Sequence, residues 1–205
     1  MVPYYIRGST TGGFMEPYQP SFLRIIEEEL VDYRIRSRYY HPKYVRTLDL
    51  VGSERVLEFG CGGGCMSRAL SRALRPDGRL TCVDISEYWI KKAQRRLHAF
   101  SNIEFLAGDI TRLEVPDNSH DAVVIHFVLH EVDPAVRIDV VNALAKTLHA
   151  EGTLFIREPA HPPHGIPVAE VQALMRDAGL REHHAGCIRS WRWGRICDGV
   201  FLKSW

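Results

Sequence analysis

The sequence predicts an α/β fold: a doubly wound, mostly parallel seven-stranded sheet with an antiparallel hairpin at its C-terminal end and a helical cap at its N-terminus. Three observations predict it. From residue 55 onward, short apolar runs alternate with segments of helical period. The first run, Arg55-Val56-Leu57-Glu58-Phe59, breaks directly into Gly60, Gly62 and Gly64, and a helical pattern of Met66, Ala69, Leu70, Ala73 and Leu74 follows. The last two strand-like runs succeed one another with no helix between them.

Each element has its own signal. Residues 1–20 are rich in Gly, Pro, Thr and Tyr and read as an irregular arm. Ser21 suits an N-cap, and Phe22, Ile25, Ile26, Leu30 and Tyr33 recur at helical spacing, so an amphipathic helix is expected over 21–40. Pro42 interrupts it, and a shorter helix is expected over 43–50. Residues 1–50 thus form an arm and cap, and residues 51–205 the α/β domain. Strand 55–59 leads to helix 65–74, and Pro76-Asp77-Gly78 marks a turn. Strand 79–83 ends at Asp84, and Ser86 is placed to cap a helix running to Phe100. Strand 103–107 ends at Gly108-Asp109. Strand 121–127 is apolar and β-branched, as a strand buried on both faces should be. Helix 134–149, a Glu151-Gly152 turn, strand 153–157 and helix 168–177 follow. Strands 181–188 and 195–203 close the chain around a tight region at 190–194.

Composition narrows the function. A chain of 205 residues holds one substantial core plus a small appendage. A formal net charge of +1 argues against broad attraction to nucleic acid or anionic membrane. No apolar run approaches the roughly 20 residues that span a bilayer, and the N-terminus lacks a secretory pattern. Cys61, Cys65, Cys82, Cys187 and Cys197 form an odd set without a secreted framework, so a reduced, cytoplasmic setting is expected.

The glycine turn selects the ligand. Glycine tolerates positive φ and lets a ligand approach the backbone. A dinucleotide fingerprint, G-x-G-x-x-G/A, needs a small residue at position 65, where Cys65 stands. The pattern here is E-x-G-x-G-x-G, and it resembles motif I of the class I S-adenosylmethionine-dependent methyltransferases. The resemblance covers about residues 45–205. It implies a Rossmann-like methyltransferase fold whose seventh strand inserts antiparallel between the fifth and sixth. It further implies that Phe59, Gly60, Cys61, Gly62 and Gly64 pass against the methionine half of the cofactor, with Glu58 helping to hold the ammonium group.

Ligands of an open parallel sheet bind at the C-terminal ends of its strands, and the remaining candidates stand there. The resemblance places the ribose hydroxyls on Asp84 and one adenine face on Ile85. It places the adenine amino group on Asp109, with Gly108 beside it and Ile110 packing or donating its N–H. The plain alternatives are an N-cap for Asp84, a loop acid for Asp109 and a strand acid paired with arginine for Glu58. An acid after the second strand also suits NAD, so an NAD-dependent oxidoreductase stays open. No Gly-Lys-Ser/Thr follows the glycines, which excludes a P-loop.

The segment His120-Asp121-Ala122-Val123-Val124-Ile125-His126-Phe127-Val128-Leu129-His130-Glu131-Val132 looks like the fourth-strand region of small-molecule methyltransferases, including the quinone-biosynthesis type. The resemblance puts His126 and Phe127 at the methionine end of the cofactor. Many relatives carry Asn or Ser at the His126 position, so His126 is a candidate base or acceptor contact. His130 is the second catalytic candidate, and its plain alternative is to fix the loop. The stretch 157–165 reads as a rigid loop at the same edge, with His161 and His164 in it. No metal is expected: Pro134 ends the H-E-x-x-H idea, neither His161/His164 nor His183/His184 completes a ligand set, and Cys61 and Cys65 read as small turn residues.

The Asn/Asp-Pro-Pro-Tyr/Phe loop of nucleic-acid amino-methylating enzymes is absent after the fourth strand, so no nucleic-acid partner is expected. Tyr4, Tyr5, Tyr18, Tyr33, Tyr39, Tyr40 and Tyr44 make residues 1–50 either a lid over an acceptor pocket or a helix packed on the core or a dimer partner. The expected function is methyl transfer from S-adenosyl-L-methionine to a small-molecule acceptor by in-line displacement, leaving S-adenosyl-L-homocysteine. The protein supplies alignment and water exclusion. A non-catalytic cofactor-binding or regulatory protein of the same fold is the other alternative.

Overall fold

The computed structural model describes residues 37–74, 77–160, 165–190 and 194–204. The N-terminal arm, most of the helix expected over 21–40, His161, His164 and the tip 191–193 lie outside the described residues. The chain divides into two compact units, one ending at Leu113 and the other beginning at Glu114, apart from N-terminal residues outside the described range.

The first unit begins with α1, Ser37–Val45. Pro42 lies inside this helix instead of ending it. The carbonyl that loses its donor there belongs to Arg38, an exposed residue where water is available. The helix expected over 43–50 is replaced by the end of α1 and a 3-10 turn, Arg46–Leu48, which Asp49 stops with φ +52°. Then come β1 (Arg55–Phe59), α2 (Cys65–Ala73), β2 (Arg79–Asp84), α3 (Glu87–Leu97) and β3 (Ile103–Ala107). The three strands are parallel, with Val56 beside Leu80 and Leu80 beside Ile103.

Burial explains the sequence pattern. In β1 and β2 every residue after the first is buried, so both faces are covered and the runs are almost wholly apolar. β3 is only half covered, as its place at the end of the sheet requires. α2 buries Met66, Ala69 and Leu70, while α3 buries Trp89, Ile90, Ala93 and Leu97. Removing each large apolar side chain among these from water contributes about 1.5–3 kcal/mol. Ser71 and Asn102 form a buried pair in which the hydroxyl donates to Oδ1 at 2.5 Å and Nδ2 donates to the Ser71 carbonyl at 3.0 Å.

The second unit holds β4 (His120–His126), 3-10 turns at Leu129–Glu131 and Pro134–Val136, and α4 (Arg137–Thr147). β5 (Leu148–Pro159), α5 (Val168–Asp177), β6 (Leu180–Ser190) and β7 (Gly194–Lys203) follow. β4 and β5 are parallel, β7 runs antiparallel to β5, and β6 antiparallel to β7. The sheet has seven strands in the order β3-β2-β1-β4-β5-β7-β6. The seventh strand therefore sits antiparallel between the fifth and sixth, as the resemblance implied.

Three local differences have physical causes. The helix expected over 134–149 opens as a 3-10 turn and gives way to strand at Leu148. The Glu151-Gly152 turn is instead an irregularity within β5: Glu151 takes φ +69°, and the register with β4 jumps between His120 and Ala122. Ser86 occupies the N-cap position of α3, but its side chain makes no capping bond.

Cys187 and Cys197 stand opposite each other in the β6–β7 ladder and are joined by a disulfide. The expectation of a fully reduced set is therefore corrected at this pair, while Cys61, Cys65 and Cys82 are free and buried. Among the described residues no helix is long and apolar enough to cross a membrane. Thiol titration of the denatured chain should find three thiols before reduction and five after it. Replacing Cys187 with Ser should lower unfolding stability by about 2 kcal/mol in urea denaturation, the loss expected for a cross-link closing a short loop.

Candidate functional site

The first unit gathers its candidate residues around the end of β2. The turn after β1 carries Gly60, Gly62 and Gly64 with φ of +72°, +52° and +83°. Such a run cannot hold itself, and the hydrogen bonds show what holds it. The Gly60 and Cys61 N–H groups donate to the Val83 carbonyl at 2.8 and 3.1 Å. Gly62 N–H donates to Asp84 Oδ2 at 2.8 Å, and Ser86 N–H donates to Asp84 Oδ1 at 2.9 Å. The Asp84 carbonyl accepts Gly108 N–H at 2.9 Å. Asp84, only 1% exposed, thus links the glycine turn, the start of α3 and the loop after β3.

Two glycines are required for different reasons. A Cβ on Gly64 would lie 2.8 Å from Leu97 Cδ1 and 3.2 Å from Ala93 Cβ, so the turn packs directly against α3. A Cβ on Gly62 would meet nothing within 4 Å, leaving open space above its backbone. Phe59 and Cys61 are buried, Ile85 is half-buried, and Ile110 is buried beside Asp109. Asp109 Oδ1 accepts the Thr111 N–H at 2.9 Å and the Thr111 hydroxyl at 2.8 Å, which shapes the loop after β3.

Glu58 is 2% exposed. Burial pushes its carboxyl up to about 8, against the lowering effect of hydrogen bonds from Ser67 and Cys82. Cys82 Sγ lies 3.6 Å from Glu58 Oε2. The Cys61 thiol is raised well above its ordinary range by its hydrogen bond with Cys82 and by burial, and burial raises Cys82 too. Both thiols stay protonated at neutral pH, so they act as small packing residues.

The residues fit S-adenosylmethionine on two counts. An acid that burial keeps protonated would gain a favourable partner in a ligand ammonium. Open space over the Gly62 backbone lets a ligand pass close to it.

The second unit holds His126, Phe127 and His130. His126 ends β4, and its ring meets Phe127 edge-on with centroids 4.5 Å apart. Phe127 takes φ +58°, which a bulky side chain rarely adopts. His130 Nδ1 lies 2.5 Å from Glu158 Oε2, and the Val128 and Leu129 N–H groups donate to Glu158 Oε1. Residues 157–159, expected in a loop, belong to β5. Arg157 forms a two-bond pair with Asp198, Nε to Oδ1 at 2.5 Å and Nη2 to Oδ2 at 2.6 Å.

Sequence reasoning missed Ser67, Cys82, Glu158 and Asp198 as site neighbours. None of the four carries a local sequence pattern that marks it as such a neighbour. Among the described residues no group of three or more His, Cys, Asp or Glu is arranged to hold a metal ion.

The chain is similar to known proteins. A family profile described as a methyltransferase domain matches residues 56–152. The ubiquinone/menaquinone biosynthesis C-methyltransferase UbiE of Pseudomonas entomophila is 32% identical over 129 residues, 58% of this chain and 48% of that protein. The chain spans about half the length, or less, of the curated relatives it matches. A SAM-dependent methyltransferase from Aquifex aeolicus has a TM-score of 0.70 at 19% identity, covering 87% of this chain and 97% of that one. The N-methyltransferase NodS from Bradyrhizobium japonicum, in complex with S-adenosyl-L-homocysteine, has a TM-score of 0.70 at 21% identity, covering 89% and 97%. At these identities the two structures show the fold. The profile match runs from β1 into the start of β5, so this part of the chain is similar to a methyltransferase domain.

Proposed function

We propose that this protein transfers a methyl group from S-adenosylmethionine to a small-molecule acceptor. The observation that carries the reading is the Asp84 linkage: one buried carboxylate and its own carbonyl tie together the glycine turn and the loop after β3. In this reading Glu58 meets the ammonium group, Phe59 to Gly64 line the methionine half, Asp84 takes the ribose, and Ile85, Gly108, Asp109 and Ile110 frame the adenine. The bound cofactor supplies the activated methyl group. The chain's own task is to orient the acceptor and keep water out, with His126 and His130 as the groups able to accept or relay a proton. The UbiE relative, named as a C-methyltransferase of ubiquinone and menaquinone biosynthesis, supports an acceptor of small-molecule size.

Isothermal titration with S-adenosylhomocysteine and with NAD tests the cofactor, and transfer of labelled methyl into a metabolite pool tests the activity. Binding of NAD alone, or donor binding with no labelled product, overturns the reading. Asp84→Ala should weaken S-adenosylhomocysteine binding by about tenfold to a hundredfold and should also lower stability in urea unfolding, because the Gly62 and Ser86 N–H groups lose their acceptor.

Glu58 makes the chain pH-sensitive with a definite sign. Below its ordinary value of 4.5 both folded and unfolded chains hold the proton, and between 4.5 and about 8 only the folded chain does. Its contribution to stability is therefore full at low pH and lost as pH rises through the raised value. Glu58→Gln should flatten this decline, leaving the variant relatively more stable by on the order of several kcal/mol when urea unfolding at about pH 9 is compared with about pH 5. A cationic ligand beside the carboxyl should also expel its proton. Titration near neutral pH in buffers of different ionisation enthalpy should report release of about one proton in the native chain and none through Glu58→Gln.

A further inference from the structure

The β6–β7 hairpin ends in two features that oppose each other. Arg189 stands directly opposite Arg195 in the ladder, and both are exposed. Like charges facing across an antiparallel pair weaken it. Between Cys187 and Cys197 the sequence holds a third arginine, Arg192, and no acid. Ile188, one rung inward of Arg189, is 56% exposed, so its burial does little to hold the end closed. β6 is also the last strand of the sheet, with β7 as its neighbour. Against these stands the covalent link between Cys187 and Cys197, two rungs from the facing arginines.

The link is reachable from water. Cys187 is exposed and Cys197 half-buried, whereas Cys61, Cys65 and Cys82 are free and buried. Exposed disulfides are the labile ones. On the inward side the ladder has its own support. Asp198, next to Cys197, takes two bonds from Arg157 of β5, at 2.5 and 2.6 Å. β7 is tied to β5 as well: Ile196 pairs with Pro159 and is 3% exposed, and the Arg195 carbonyl accepts the Ala160 N–H at 2.8 Å. The end of β6 has no such second tie among the described residues.

We propose that the Cys187–Cys197 disulfide is a redox-sensitive clasp. Reduced by a dithiol, it lets residues 188–190 leave the sheet while β7 stays on β5. Reoxidised, it closes the end again. The device is independent of the reaction the chain catalyses. In the reduction, a thiolate of the dithiol attacks the exposed Cys187 Sγ. The sulfur–sulfur bond breaks, and its electron pair leaves on Cys197 Sγ, which takes a proton. The second thiol of the reagent, having lost its proton, attacks the mixed disulfide and displaces the Cys187 thiolate, which is protonated in turn. The chain gains two electrons and two protons as two thiols, and the dithiol is oxidised to a cyclic disulfide.

With the link gone, repulsion between Arg189 and Arg195 acts on the last rungs without a covalent restraint. Exposed charges are screened by salt, so salt should reclose the reduced end. The loss of a purely structural staple would show no such dependence.

Dithiothreitol at about pH 8 without denaturant, followed by alkylation and peptide mass spectrometry, should label Cys187 and Cys197 and spare Cys61, Cys65 and Cys82. Amide hydrogen exchange should then rise about tenfold at the amides of residues 188–190 that bond to β7, and stay within about threefold over 180–186. Sodium chloride at about 1 M should restore most of that protection in the reduced chain and leave the oxidised chain unchanged. Arg189→Glu sets opposite charges across the rung, so its reduced and oxidised forms should exchange within about threefold of each other. Oxidised glutathione should return the native chain to its starting protection.

A denatured, unreduced chain with five reactive thiols overturns the proposal. So does a folded chain that resists dithiothreitol, or one that is reduced with no gain in exchange over 188–190. Exchange that spreads through 180–186 overturns it by showing that the whole strand is released. Opening that ignores salt and persists in Arg189→Glu overturns it by showing a structural staple. If Arg189→Glu does not fold, the salt series on the native chain decides.

Discussion

The geometry of the first unit depends on one buried carboxylate. Without a partner, Gly60, Gly62 and Gly64 would have to hold positive φ values against the entropy that glycine gains when released. Asp84 and the Val83 carbonyl supply those partners. A neutral hydrogen bond contributes on the order of 1 kcal/mol, and one to an ionised acid roughly twice that. The Asp84 bonds to Gly62 and Ser86 are of the stronger kind. They also explain why the acid must stand at the very end of β2. One residue earlier its side chain would point to the other face of the sheet.

Two other buried acids, equally hidden, have opposite surroundings. Glu58 has a thiol and a hydroxyl beside it and Asp84 nearby, so burial dominates and the proton stays on. Glu158 faces two backbone N–H groups and a ring nitrogen, donors that suit an ionised acceptor. In the proposed reading the first meets a positive charge from a ligand. The second holds a turn. Burial alone does not assign a role to a carboxylate; the count of donors around it does.

That distinction also explains what was legible in the sequence. β1, β2 and β4 were readable because strands covered on both faces are largely apolar, and the glycine turn because no other residue takes those dihedrals at little cost. Asp84 and Asp109 were readable from their place at strand ends. Glu158 was not, because a Pro-rich stretch after it drew residues 157–159 into an expected loop, whereas pairing with β7 extends the strand through Pro159. The disulfide was equally hidden. Cys187 and Cys197 become partners only through the hairpin register, which neither residue's local context reveals.

The contrast reflects what each half of the chain must do. A cofactor of fixed shape can be met by backbone, and backbone demands leave residue types in the sequence: glycine where φ is positive, an acid where amides need an acceptor. In the proposed reading, the acceptor side rests instead on side-chain pairings between residues distant in the chain. Arg157 meets Asp198 across β5 and β7, and Glu158 reaches back to His130. Neither pairing follows from any local pattern. Pairings of this kind are found in the fold by asking which buried acid has donors in reach.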